Sequence, residues 1–122
     1  MSETLNHLLP ATEGPTLCYL VSSPVTVSEY TEFLILVRNN IEKYGEFRLY
    51  LLYDHFQGWD AEAANMDVSF YVEYGKYLKK FCLVNPPEKE IMSKMLTKPM
   101  ISGELKIFSK ERQEEALAWV KS

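Results

Sequence analysis

FRLYLLYDHFQGWDAEAANMDVSFYVEYGKYLKKFCLV, residues 47–84, decides the fold. Its first seven residues are aromatic or aliphatic apart from Arg48, which suits a central strand covered on both faces. KFCLV, residues 80–84, reads as a second buried strand. Between them Asp60 is a candidate N-cap, and the pattern predicts a helix over 60–79. Strand, helix and strand in that order make one right-handed crossover of a parallel sheet.

The flanking segments extend the same alternation. In VTVSEYTEFLILVRNNIEKYG, residues 25–45, Thr26 and Glu29 have capping-box spacing, so each can satisfy a free backbone N–H at a helix start. Tyr30, Phe33, Leu34, Val37, Ile41 and Tyr44 share one apolar face, and Gly45 is placed to end the helix. LCYLVS, residues 17–22, reads as a strand, with a shorter one around Leu5 to Leu9 before it. Downstream, Pro86 and Pro87 open a short helix over 88–98. ELKIF, residues 104–108, alternates like an outer strand, and Ser109 caps a last helix carrying Ala116, Leu117, Trp119 and Val120. The expectation is an α/β chain forming a single domain over residues 1–122. Its mixed, mostly parallel sheet has about five strands, with four helices and an antiparallel pair at the start.

Composition fits an ordinary globular chain: 122 residues, 47% hydrophobic and 25% charged. The opening MSETLNHLLP lacks a basic region followed by an apolar core, so no signal peptide is read there. The longest aliphatic run, Phe33 to Val37, is far too short to span a bilayer. Cys18 and Cys82 each sit in an apolar run, which favours two buried thiols in a reducing compartment over a disulfide. A cytoplasmic location is expected. The net charge of −4 argues against nucleic acid as a partner. Residues 1–75 hold three basic against eleven acidic side chains, whereas residues 76–112 hold nine against four. Such unevenness usually marks only a solvated surface.

Signals for catalysis are weak. No Gly-rich phosphate loop and no metal-ligand spacing occur, so no metal and no cofactor are expected. Asp54 beside His55 is the nearest approach to an acid–base pair, but neighbours at a strand end point in opposite directions. No catalytic residue is assigned and an enzyme is not expected.

Apolar residues on the helix over 60–79 are more plentiful than one contact needs. At about 100° per residue, Glu62, Asn65, Ser69, Glu73, Lys76 and Lys80 fall in one polar stripe about 80° wide. Trp59, Ala63, Met66, Phe70, Tyr74 and Tyr77 make one apolar side, while Ala61, Ala64, Val68, Tyr71, Val72 and Leu78 make another. A single sheet cannot cover both sides. The surplus calls for a neighbouring helix, a second subunit, a nonpolar ligand or a membrane surface. Asp67 is the one carboxylate well inside the apolar sector. It reads as reaching solvent or, in a ligand site, as anchoring a polar end. The short helix adds Ile91, Met92, Met95 and Leu96 among Lys89, Lys94 and Lys98, a mixture that suits gap-filling in a core or contact with an anionic lipid surface.

The whole pattern resembles the SpoIIAA-like family, whose fold is similar to STAS domains. The resemblance rests on Val25-Thr26 before a helix with Glu29 and Tyr30, and on Gly58-Trp59-Asp60 after the central strand. It continues through Phe81–Val84, Glu104–Phe108 and the closing EALAWV of residues 115–120. Two departures from the family pattern stand out: Pro24 takes the place of a usual glycine before Val25-Thr26, and Asn85-Pro86-Pro87 replaces the usual Gly-Asp after the fourth strand. Anti-sigma antagonists carry a phosphorylatable serine at the start of the helix after the central strand. Here residues 54–68 hold no Ser, Thr or Tyr, so that switch is not expected. The resemblance implies holding a small nonpolar ligand, dimerisation and membrane contact.

Residues and resemblance together give a non-enzymatic binding or carrier domain for a small nonpolar, lipid-like ligand. Tyr53, Phe56, Trp59, Met66, Phe70, Tyr74, Met92 and Met95 are the expected ligand-binding residues, between the sheet and the helices at 60–79 and 88–98. Expected partners are a second copy of the chain and a peripheral membrane surface met through the Lys-rich 76–112 region. The alternative is a regulatory protein–protein interaction module of STAS type without the phospho-serine switch.

Overall fold

Capping starts the first long helix where the spacing predicts it. Thr26 Oγ1 accepts from the Glu29 N–H at 3.2 Å, and Glu29 Oε1 accepts from the Thr26 N–H at 3.0 Å. The computed structural model describes residues 6–122. Its elements run β1 (His7–Leu8), β2 (Thr16–Val21), α1 (Val27–Tyr44), β3 (Phe47–Tyr53), α2 (Ala61–Tyr74), β4 (Leu78–Val84), α3 (Glu88–Met95), β5 (Glu104–Phe108) and α4 (Gln113–Lys121). The sheet order is β1-β2-β3-β4-β5. β1 pairs antiparallel with β2, and all later pairs are parallel. Leu5, expected in the first strand, lies outside the described residues.

Each parallel crossover moves one strand along in the same direction. Right-handed connections therefore place α1, α2 and α3 on one face, leaving the other to α4. Register divides the side chains accordingly. Leu17, Leu49, Phe81 and Leu105 pair across the sheet toward α1–α3, and Cys18, Tyr50, Cys82 and Lys106 pair toward α4. The two cysteines are free and buried, with the whole of β3 between them. Strand spacing sets them about 9–10 Å apart, beyond the reach of a disulfide. Burial pushes the Cys82 thiol up to about 12.

Several boundaries differ from the sequence reading, while Asp60 keeps its expected N-cap position. The helix expected over 60–79 stops at Tyr74, gives one 3-10 turn over Gly75–Tyr77, and Leu78 already belongs to β4. The cause is distant in sequence. Ser102 N–H donates to Gly75 O at 3.0 Å, and a Cβ on residue 75 would meet Met100 O at 2.3 Å. Leu78 then pairs with Phe47. Asp60 holds the N-cap position without a side-chain cap bond. Ser109 precedes a 3-10 turn rather than α4 itself.

Phe70 is the hub of the larger core. Its ring meets Phe33, Phe47, Tyr71 and Tyr74 with centroids 5.2, 5.8, 5.0 and 5.7 Å away. The surplus apolar side of α2 is thus partly covered by α1, a neighbouring helix. Val68 and Val72 stay open, at 68% and 74% exposure.

Candidate functional site

A cluster of charged and aromatic side chains lies under α1–α3, and α3 supplies its centre. Glu90 and Lys94 are one turn apart, so they share a face of α3. That face is turned inward: both are buried, while Met92, Met95 and Leu96 are exposed. Lys94 Nζ is 2.7 Å from Asp67 Oδ2 on α2 and 3.6 Å from Glu90 Oε1. It also lies 4.8 Å from the centre of the Trp59 ring and 5.8 Å from that of Tyr71, where ring faces attract a cation.

Phenols and an indole complete the shell. Tyr30 on α1 donates to Asp67 Oδ1 at 2.5 Å. Tyr53, at the end of β3, donates to Glu90 Oε1 at 2.8 Å, and Trp59 Nε1 donates to Glu90 Oε2 at 2.9 Å. Burial first, and then Asp67, hold the Tyr30 phenol far above its ordinary pKa. Burial and Glu90 do the same for Tyr53, and burial and Asp67 for Tyr71. Tyr30 and Tyr53 therefore keep the protons that they donate to Asp67 and Glu90. Trp59 owes its place to the Gly-Trp-Asp turn. Gly58 adopts φ 100°, a value that glycine tolerates. Its carbonyl accepts from Val25 N–H at 3.1 Å, and Asp60 N–H donates to Val25 O at 3.0 Å.

A cavity of about 270 Å³ opens onto this cluster. Its walls are apolar: Tyr19 and Val21 from β2, Leu49 and Leu51 from β3, Phe33 and Leu36 from α1. Tyr30, Tyr53, Trp59, Asp67, Tyr71 and Lys94 form its polar end. His7, Leu8 and Glu32 line it and are exposed, which marks the mouth between β1 and α1. Asn6 fastens that edge. Its Oδ1 accepts from the N–H groups of Ser22 and Ser23 at 2.7 and 2.9 Å, and its Nδ2 donates to Glu29 Oε1 at 3.1 Å.

The expected ligand residues scatter across this geometry. Tyr53 and Trp59 line the cavity. Phe56 is half-buried beside them, 5.3 Å from the Tyr53 ring and 6.1 Å from that of Trp59. Met66, Phe70 and Tyr74 border a second, more open hollow between α1 and α2. Met92 and Met95 face outward, because α3 turns its charged side inward. The cavity lies mainly between the sheet and α1, and the helices at 60–79 and 88–98 reach it only at its polar end, through Asp67, Tyr71 and Lys94. Asp67, read as reaching solvent or as anchoring a ligand's polar end, lines the cavity and is held by Lys94 and Tyr30. Lys94, grouped with surface lysines by sequence, is 1% exposed.

Asp54 and His55 do touch, with Asp54 Oδ1 2.9 Å from His55 Nδ1. The expectation that they point apart fails because the chain has left the strand, and His55 takes φ 51°. Both are open to solvent and neither lines the cavity.

A sequentially wound sheet, three helices over one face and a partly polar cavity beneath the first of them define a small α/β domain of STAS-like fold. The chain belongs to the SpoIIAA-like family, whose model matches residues 16–121. A crystal structure of an uncharacterised protein from Shewanella loihica with a SpoIIAA-like fold is similar over 98% of each chain, with TM-score 0.65 and 20% identity. No curated protein matches the chain. Family and fold support a regulatory or interaction module at most. No helix among the described residues is long and apolar enough to cross a membrane.

Proposed function

We propose that this protein is a binding or carrier domain, without catalysis of its own, for a small nonpolar, lipid-like ligand held in the cavity between α1 and strands β1–β3. One observation carries the reading: an apolar cavity ends on a few convergent polar groups, Tyr30, Tyr53, Asp67, Tyr71 and Lys94. Tyr53 and Trp59 remain assigned to the ligand, and Tyr30, Leu51 and Asp67 join them. Native mass spectrometry of protein purified from its source tests this. An apolar molecule should travel with the protein, and Leu51→Trp, which fills the cavity, should expel it. A chain that carries nothing and binds none of a broad lipid panel rules the carrier reading out.

A second reading, the interaction module, is favoured by the exposed Val68 and Val72 of α2 and Met92 and Leu96 of α3. It keeps the expected homodimer, and the peripheral membrane contact would use Lys76, Lys79, Lys89 and Lys98, with Lys94 withdrawn. Sedimentation with Val72→Asp, and flotation with anionic vesicles, separate the two. A dimer lost on that substitution favours protein contact, and binding to vesicles favours the membrane.

A further inference from the structure

The polar end of the cavity discriminates among head groups. Asp67 uses one oxygen for Tyr30 and the other for Lys94. An ionised carboxylate has about four acceptor sites, so roughly two remain, and Asp67 faces the cavity. Tyr71 also lines the cavity and is 3% exposed. Its hydroxyl takes no part in the side-chain hydrogen bonds among the described residues, although no fully buried polar side-chain atom there lacks a partner. That hydroxyl therefore opens to the cavity, and its raised pKa keeps its proton in place. Among the described residues the site thus presents a spare acceptor and a spare donor, four residues apart on α2.

We propose that the ligand's polar group is a neutral hydroxyl, which donates to Asp67 and accepts from Tyr71; this rests on the carrier reading. A carboxylate head would meet Asp67 at the polar end, with Glu29 and Glu32 also lining the cavity, and Lys94 is already engaged by Asp67 and by Glu90 behind it. Like charge at such range disfavours it. An ammonium head would share Asp67 with Lys94 and would leave the Tyr71 donor without an acceptor. An ether would accept from Tyr71 and give Asp67 nothing. Of these four head groups only the hydroxyl answers both Asp67 and Tyr71. The cavity of about 270 Å³ accommodates on the order of ten non-hydrogen atoms.

Four probes of that size decide the matter: nonanol, its isomer methyl octyl ether, nonanoate and nonylamine, titrated into the full chain near neutral pH by calorimetry. Nonanol should bind at least about tenfold more tightly than each of the others, the loss expected for one missing hydrogen bond in a buried site. Tyr71→Phe should reduce that preference over nonylamine, and Asp67→Asn should reduce it over the ether and nonanoate. Amide spectra of both variants establish that they fold. If nonanoate, nonylamine or the ether equals nonanol, the hydroxyl assignment falls while the carrier reading stands. If none of the four binds, the carrier reading falls and takes the assignment with it.

Discussion

The two faces of the sheet are built on opposite plans. Toward α4 the side chains of Cys18, Tyr50, Cys82, Val84 and Phe108 meet Ala116 and Val120 in a dry layer. Charge is kept to the edge, where Arg48 and Lys80 donate to the carbonyls of Val120 and Trp119 at 3.1 Å each. These cations sit at the C-terminal end of α4, the end that favours them. Toward α1–α3 the sheet carries a larger aromatic core, yet it also encloses a cavity and buries Lys94 and Glu90. A buried ion pair contributes little net stability, and a void forfeits contacts on one side of its lining. One face is arranged for packing; the other gives up packing to keep a polar-ended space.

The sharpest test of that contrast removes the cation. Lys94→Met retains much of the volume but leaves Asp67 and Glu90 buried without their partner. Breaking such a pair costs about 3–5 kcal/mol, read as a fall in the urea midpoint. Adding Asp67→Asn and Glu90→Gln should recover most of the loss, because the stranded charges are then gone. A neutral single variant would mean that Lys94 is not compensating these carboxylates, and the two faces would differ less than described.

Packing comes next in size. Ala116 is fully buried against the sheet, with its carbonyl 4.0 Å from the Cys82 thiol. Ala116→Leu has no room there and should cost about 1–3 kcal/mol. Leu51→Trp enlarges a side chain by more, but it borders the cavity and should change the melting temperature little. Equal losses from the two would show that the cavity is no softer than the dry layer.

How much of this was legible in the sequence follows from the range of the interactions involved. β3 announced itself through seven nearly unbroken apolar residues, and α1 through Thr26, Glu29 and Gly45, because those signals are local. The end of α2 was illegible, since it depends on Met100 and Ser102 closing on Gly75. The site was half legible. Asp67 stood out as a carboxylate in an apolar sector, yet nothing in one sequence distinguishes Lys94 from Lys89 or Lys98. The one available hint was the Glu90–Lys94 spacing, which suits a surface pair equally well. Methionines at 92 and 95 suggested an inner face by composition, and α3 reverses that because its charges have partners inside.

The smallest expected effect concerns tyrosines, and it compares the faces by pH. Burial pushes Tyr50, on the α4 face, up to about 12. Its hydroxyl takes no part in the side-chain hydrogen bonds among the described residues, so near neutral pH Tyr50→Phe should alter stability by no more than about 0.5 kcal/mol. At alkaline pH the sign is fixed by linkage. The folded state holds the neutral phenol more strongly than the unfolded chain, whose tyrosines titrate near about 10. The contribution is whole below about pH 10 and is lost as pH rises toward about 12. Tyr50→Phe removes that loss, so near about pH 11 the variant should melt later than the wild type. The α1–α3 face should lose more over the same range, because Tyr19 is pushed up to about 12 and Tyr30, Tyr53 and Tyr71 are raised as well. The double variant Tyr19→Phe, Tyr71→Phe should therefore shift the alkaline melting limb further than Tyr50→Phe. The reverse order would place the stronger desolvation on the α4 face and undo the contrast between the two.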